Sequence, residues 1–166
     1  MLRLSALALI LSSSAALADL TVRFSEGAPK DRFTLTNTGD CPLPMMRVTL
    51  DLGAAPAGLI FDVTGAGAGV EVFQPFELVA GAEHLTGLPA VLDGDSAIAL
   101  DFNGLGTNQS VAFTIDVDDT GGGREITVDG SEITGAVIRA ELGGQTLEGT
   151  FDASATASIP VAGCTS

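Results

Sequence analysis

Apolar and polar residues alternate over short runs throughout this chain, and this period-two pattern restricts the fold more than any other feature. Successive side chains of a β-strand point to opposite faces, so the alternation predicts strands that each bury one face. About ten such runs follow residue 18. Their apolar members include Leu20, Val22 and Phe24; Phe33 and Leu35; Val48 and Leu50; Val70 and Val72; Val111, Phe113, Ile115 and Val117; and Ile126 and Val128.

Glycine-containing turns separate the runs, as at Asn103-Gly104 and Gly143-Gly144. Glycine and asparagine tolerate the positive φ angles that tight hairpin turns require. The stretch from Leu78 to Leu92 is apolar but is interrupted by glycine and proline, which predicts a long loop with at most a short strand or helical turn. We therefore predict an all-β fold, an antiparallel β-sandwich or jelly roll of about ten short strands.

The N-terminus has the features of an export signal. Arg3 precedes an apolar run that ends at Leu11, and small residues lead to the motif Ala16-Leu17-Ala18. This arrangement predicts a signal peptide over residues 1–18 and one mature domain over residues 19–166, either periplasmic or secreted. The apolar run is too short to cross a bilayer, and we expect no integral membrane segment after cleavage.

The charge balance is strongly acidic. The chain has 21 Asp and Glu residues but 7 Lys and Arg residues, a formal net charge of −14. A negative field repels nucleic acid and anionic lipid, so neither is expected as a partner. The same field attracts cations, and it is consistent either with a solvated acidic surface or with a dedicated ion site.

Cys41 and Cys164 are the two cysteines of the chain. Exported proteins encounter an oxidising compartment, so this pair predicts a disulfide that ties the C-terminal segment to an early loop. The alternative is two unconnected buried thiols. Neither cysteine has a neighbour at the spacing of a zinc site.

The best candidate metal site is an acidic cluster around a glycine-rich turn. Asp116 and Asp118 are expected on one outward strand face, Asp119 enters the turn, and the hairpin return brings Asp129 nearby. Converging carboxylates suit calcium, although the spacing is not that of an EF-hand loop. The alternative is a solvated hairpin whose acids protect a sheet edge from pairing. A second, weaker acidic group comprises Asp93, Asp95 and Asp101.

Residues of catalytic type are isolated in the sequence. His84 is the single histidine, and the chain lacks the G-x-S-x-G motif of many serine hydrolases. Residues 65–69 are glycine-rich but precede a predicted strand instead of a helix, unlike a phosphate-binding loop. The chain has neither Trp nor Tyr, the side chains on which sugar rings commonly stack. We therefore predict that the protein is not an enzyme.

Three blocks of the chain, residues 19–41, 58–81 and 113–133, carry a family resemblance. They read DLTVRFSEGAPKDRFTLTNTGDC, GLIFDVTGAGAGVEVFQPFELVAG and FTIDVDDTGGGREITVDGSEI. Together they resemble small exported bacterial proteins labelled aggregation factor core. That label comes from sponge proteoglycans of calcium-dependent cell adhesion, so the resemblance implies an adhesive role and no catalytic residues.

Two functional hypotheses follow from the sequence. The first is an exported acidic β-sandwich module with a structural, adhesive or cell-aggregation role, whose partner is a cell-surface or extracellular protein or glycan. The alternative is a calcium-dependent ligand-binding or glycan-binding domain, and calcium is the one cofactor that the residues suggest. A hydrolase would instead require a cleft that joins His84 to an acid and a hydroxyl.

Overall fold

The computed structural model describes residues 18–28, 30–65, 73–120 and 128–161. The described part contains eleven strands, two 3₁₀ turns and no α-helix. The strands are β1 (Ala18–Ser25), β2 (Asp31–Asn37), β3 (Met46–Asp51), β4 (Leu59–Phe61), β5 (Glu77–Ala80), β6 (Ala97–Phe102), β7 (Ser110–Ile115), β8 (Val117–Asp119), β9 (Val137–Leu142), β10 (Gln145–Thr150) and β11 (Thr156–Val161). The 3₁₀ turns are Leu52–Ala54 and Ala82–His84.

The strands form two main antiparallel sheets and one small ribbon. The first sheet has the order β11-β1-β2-β7-β5, and the second has the order β10-β9-β3-β6. Strands β4 and β8 pair with each other as a two-stranded ribbon. This arrangement confirms the prediction of an all-β antiparallel sandwich.

The core lies where the apolar residues of the alternating runs point inward. Phe33 on β2 and Val48 on β3 are fully buried, while their polar neighbours are not. The Phe33 ring stacks on Phe113 of β7 with 5.2 Å between centroids. Burial of each such side chain contributes about 1.5–3 kcal/mol, so the alternation accounts for most of the driving force for this fold.

The described part of the chain makes contacts at both lateral sides of the sandwich. On one side β10 packs directly against β11, where a Cβ on Gly149 would lie 2.5 Å from the carbonyl oxygen of Ser158. On the other side the segment after the second 3₁₀ turn runs along β6. There the backbone N–H of Thr86 donates to the Asp101 carbonyl at 2.9 Å, and Leu85 bridges to Phe102.

The run from Val111 to Val117 does not form the single strand that its alternation predicts. Strand β7 ends at Ile115, and β8 begins at Val117 with a different partner. The Val117 N–H donates to the Asp31 carboxylate at 3.0 Å instead of continuing the ladder of the first sheet. Asp116 is therefore the residue at which the chain leaves the first sheet for the ribbon.

Other expectations of the sequence are met or fall outside the described residues. The stretch from Leu78 to Leu92 contains only the short strand β5 and one 3₁₀ turn, as predicted. The predicted signal peptide except Ala18, the predicted strand at Val70 and Val72, and the start of another at Ile126 lie outside the described residues. Across the residues that are described, no helix is long and apolar enough to span a membrane.

Candidate functional site

The ribbon of β4 and β8 carries an acidic outer face. Ile60 pairs with Asp118, and Phe61 pairs with Val117. Phe61 and Val117 are buried in the core, so the opposite face of the ribbon, which holds Ile60 and Asp118, points away from it. The sequence therefore places a carboxylate on the outer face at the centre of the ribbon.

Asp62 and Asp116 extend the two strands of the ribbon by one residue each. The Asp62 N–H donates to the Asp116 carbonyl at 3.1 Å. Two further bonds pass through Gln74, whose N–H donates to the Asp62 carbonyl at 3.2 Å and whose carbonyl accepts the Asp116 N–H at 3.1 Å. Because side chains alternate along a strand, these two carboxylates lie on the same outer face as Asp118.

These carboxylates are buried despite lying on the face that points away from the core. Asp62 is 1 % exposed, and Asp116 and Asp118 are each 3 % exposed. Both carboxylate oxygens of Asp62 and Oδ2 of Asp116 have no hydrogen-bond partner. An ionised carboxylate that is buried without a donor is costly, so this pair of side chains is the least satisfied polar group in the described structure.

Asp31 lies beside this pair but is satisfied by the backbone. Its Oδ1 accepts the Gly27 N–H at 2.9 Å, and its Oδ2 accepts the Val117 N–H at 3.0 Å. Asp31 opens β2 and is 1 % exposed. It therefore holds the start of β8 in position and adds a further negative charge next to the ribbon.

The pKa values of three of these acids, Asp31, Asp62 and Asp116, are raised. Burial is the largest cause in each case, and it raises the pKa of Asp31 and of Asp116 to about 7 and the pKa of Asp62 to about 6. Neighbouring negative charges add to the effect, those of Asp118 on all three and that of Asp93 on Asp62. The Asp93 and Asp62 carboxyls can share a hydrogen bond only when one of them is protonated. If both are ionised they repel each other, which raises the pKa of Asp62.

We define the acidic cluster as Asp31, Asp62, Asp116 and Asp118. The ion pairs of the described residues lie elsewhere, since Lys30 binds Glu77, Arg47 binds Asp101, and Arg139 binds both Asp51 and Glu148. No basic side chain is among the causes of the raised pKa values of Asp31, Asp62 and Asp116. Asp31, Asp62 and Asp116 thus bring three acidic side chains together without an ion pair to a described basic residue.

The predicted metal ligands Asp116, Asp118, Asp119 and Asp129 are only partly brought together. Asp116 and Asp118 belong to the acidic cluster, whereas Asp119 pairs with Leu59 on the other face of the ribbon. Asp129 forms its own turn, where its carboxylate accepts the Ser131 N–H and its N–H is bound by Glu132 at 2.7 Å. Among the described residues the partner of β8 is β4. Asp116 and Asp118 are each 3 % exposed, so neither is a solvated acid.

The described residues hold no group of three or more His, Cys, Asp or Glu side chains arranged as metal ligands. Asp31 and Asp62 were not identified from the sequence. The only sequence signal for them is a charged residue at an inward or pairing position of a predicted strand. That signal identifies neither which strands pair nor which acids meet.

The remaining candidates are dispersed. Asp93 accepts the N–H groups of Val63 and Thr64, and Asp95 accepts that of Leu92, so both shape the loop before β6. His84 lies on a 3₁₀ turn with its Nε2 3.5 Å from Oε1 of Glu83, and no hydroxyl binds its ring among the described residues. A shallow depression of 350 Å³ beside the β9–β10 turn is lined by Met45 and residues 141–146.

Comparison with known proteins gives little further information. No protein-family model matches the sequence, and no curated protein matches it. One solved structure to which the chain is similar is a family GH18 chitinase from Chromobacterium violaceum, with 17 % identity and a TM-score of 0.35. The match covers 82 % of this chain but 19 % of the chitinase chain.

Proposed function

We propose that this chain is an exported β-sandwich module with a structural or adhesive role and no reaction of its own. The observation that supports the proposal is the position of its exposed apolar side chains. Five large apolar side chains are exposed among the described residues, and four of them, Phe73, Val79, Leu88 and Leu92, lie within residues 73–92. We call these four side chains, which are near one another in the sequence, the 73–92 surface.

The 73–92 surface combines apolar side chains with a strand that lies at the edge of the first sheet among the described residues. Val79 lies on β5, the edge strand of the first sheet, which pairs with β7 on one side. Leu88 and Leu92 follow in the loop that leads to β6, and they are 69 % and 71 % exposed. Exposed apolar side chains beside an open edge are typical of surfaces that bind another protein, in some cases by added strand pairing.

The expected partner is a protein at the cell surface or outside the cell. The free energy falls when a partner covers an apolar surface. A net charge of −14 would repel a strongly acidic partner. The adhesive role itself is implied by the resemblance of the three sequence blocks. The 73–92 surface supplies a physical means for such contact.

The first experiment is a cell-sedimentation and adhesion assay on a strain that lacks the gene. We expect the deletion strain to sediment more slowly and adhere less than its parent. Expression of the unchanged protein should restore both properties, and the Leu88→Asp/Leu92→Asp variant should not, because the two added charges would oppose burial of the surface. Fractionation should find the protein on the cell surface or in the medium.

The matched control is Met45→Asp, because Met45 is 73 % exposed but lies away from the 73–92 surface. This variant should restore sedimentation as well as the unchanged protein does. A deletion strain that sediments and adheres like its parent would overturn the adhesive role. Equal restoration by the Leu88→Asp/Leu92→Asp variant would instead show that the adhesive role does not depend on the 73–92 surface.

A further inference from the structure

We propose that the outer face of the β4–β8 ribbon is a calcium site, with Asp62 and Asp116 as its side-chain ligands and Asp118 next to them. The site is independent of the 73–92 surface and of the adhesive role. It differs from the set predicted from sequence, since Asp62 comes from a different strand and Asp119 and Asp129 are not part of it.

The first argument is the direction of the two side chains. Asp62 and Asp116 come from different strands that are joined through the Asp62 N–H and the Asp116 carbonyl at 3.1 Å. Alternation along the ribbon places both carboxylates on the outer face with Asp118. Two like charges that face each other across a strand pair destabilise it unless a cation lies between them.

The second argument is the state of the carboxylate oxygens. Asp62 and Asp116 are 1 % and 3 % exposed, and three of their four carboxylate oxygens accept no hydrogen bond. By contrast, each oxygen of Asp31 in the same cluster accepts a backbone N–H. Oxygens that are buried without a donor, and that point to one face, are the groups that a bound cation satisfies.

The third argument concerns the kind of cation. The cluster offers carboxylate oxygens, which are hard ligands, and the one histidine of the chain is His84, on a separate turn. Calcium accepts six to eight oxygens with flexible geometry, including bidentate carboxylates, backbone carbonyls and water. Two bidentate carboxylates with water can thus complete its shell without a preformed set of three acidic side chains.

A cation at this position would stabilise the point where the chain passes from one sheet to the other. Asp116 is the residue between β7 and β8, and Asp62 follows β4. Neutralisation of their charge would hold the two strands of the ribbon together at that end. The bound state of the ribbon is therefore expected to be more resistant to thermal unfolding than the metal-free state.

The test is a titration of the full mature chain with CaCl₂ after treatment with a chelator. Isothermal calorimetry should show one site per chain, and the melting temperature should rise by about 5 °C or more at a calcium concentration 100 times the dissociation constant. NaCl at matched ionic strength should not reproduce this rise. Binding of Tb³⁺, followed by its luminescence, gives a second measurement that does not depend on unfolding.

The variants Asp62→Asn and Asp116→Asn should each lose the calcium-induced rise and the Tb³⁺ signal. Because each removes a buried charge that is repelled by its neighbours, neither should melt below the unchanged protein in metal-free buffer. The matched control Asp40→Asn removes an exposed acid in a turn and should keep the full response. Its response distinguishes a specific site from a general effect of negative charge.

Two results would overturn the site. The first is an unchanged protein that gives neither heat nor a melting shift with CaCl₂, which would mean that a shared proton alone compensates the two carboxylates. The second is an equal calcium response in Asp62→Asn, Asp116→Asn and Asp40→Asn, which would show binding over the acidic surface instead. If one aspartate variant fails to fold, the other and the Tb³⁺ measurement on the unchanged protein still decide the question.

Discussion

At the scale of single residues, the acidic cluster makes stability depend on pH in an unusual direction. The folded-state pKa is about 7 for Asp31 and Asp116 and about 6 for Asp62, above the ordinary value of 3.8. Between about pH 4 and pH 7 the folded chain therefore binds more protons than the unfolded chain. Its free energy of unfolding must fall as pH rises through this range.

We accordingly expect the melting temperature in chelator-containing buffer to be several degrees higher at pH 5 than at pH 8. The reason is that Asp31, Asp62 and Asp116 lose their protons while they are buried near other acids, namely Asp118 for all three and Asp93 for Asp62. Scanning calorimetry across the pH range measures this. The Asp62→Asn/Asp116→Asn variant should show a much flatter profile, and an unchanged slope in it would assign the effect to other acids.

At the scale of secondary structure elements, the contact between β10 and β11 depends on the absence of one side chain. A Cβ on Gly149 would lie 2.5 Å from the carbonyl oxygen of Ser158 and 3.0 Å from its carbonyl carbon. Both are backbone atoms of a paired strand and cannot rotate away. The two sheets can therefore approach this closely only with glycine at position 149.

Gly149→Ala should lower the free energy of unfolding by about 1–3 kcal/mol, the usual range for an overpacked site. Urea denaturation of the purified mature chain gives the value directly. Gly87→Ala is the matched control, because a Cβ there would meet no atom within 4 Å. A loss of stability of equal size in both variants would show that the loss of glycine, and not the contact with β11, is responsible.

At the scale of the whole molecule, the strand register places the loop that contains Cys41 at the end of the first sheet where β11 ends. Val161 closes β11 opposite Ala18, and the nearby Asn37 side chain donates to the Cys41 carbonyl at 2.7 Å. Cys41 is 3 % exposed, whereas Cys164 lies outside the described residues. The disulfide stays a prediction, and the short distance along the chain from Val161 to Cys164 supports it.

Reduction of that bond should lower the free energy of unfolding by about 4–5 kcal/mol, because the bond would close a loop over most of the mature chain. Denaturation with and without reductant measures the difference. The Cys41→Ala/Cys164→Ala variant should be insensitive to reductant. Detection of two reactive thiols in the unfolded, unreduced protein would contradict the bond.

The sequence by itself determined the fold class and most of the core. Alternation is a local property, and burial of residues such as Phe33 and Val48 follows from it whichever strands pair. The break at Asp116 was not predictable in this way, because the apolar pattern runs through it without interruption. Its cause is the bond from the distant Asp31 to the Val117 N–H.

Only the tertiary structure decided which acids meet. Asp62 and Asp116 belong to different sequence blocks, and nothing local indicates that β4 pairs with β8. Strand pairing depends on contacts between residues far apart in the chain, whereas hydropathy reports only which face of each strand is buried. Sequence reasoning therefore identified Asp116 and Asp118 as candidates. The pairing of β4 with β8 makes Asp62 their neighbour, whereas Asp119 and Asp129 were the predicted ones.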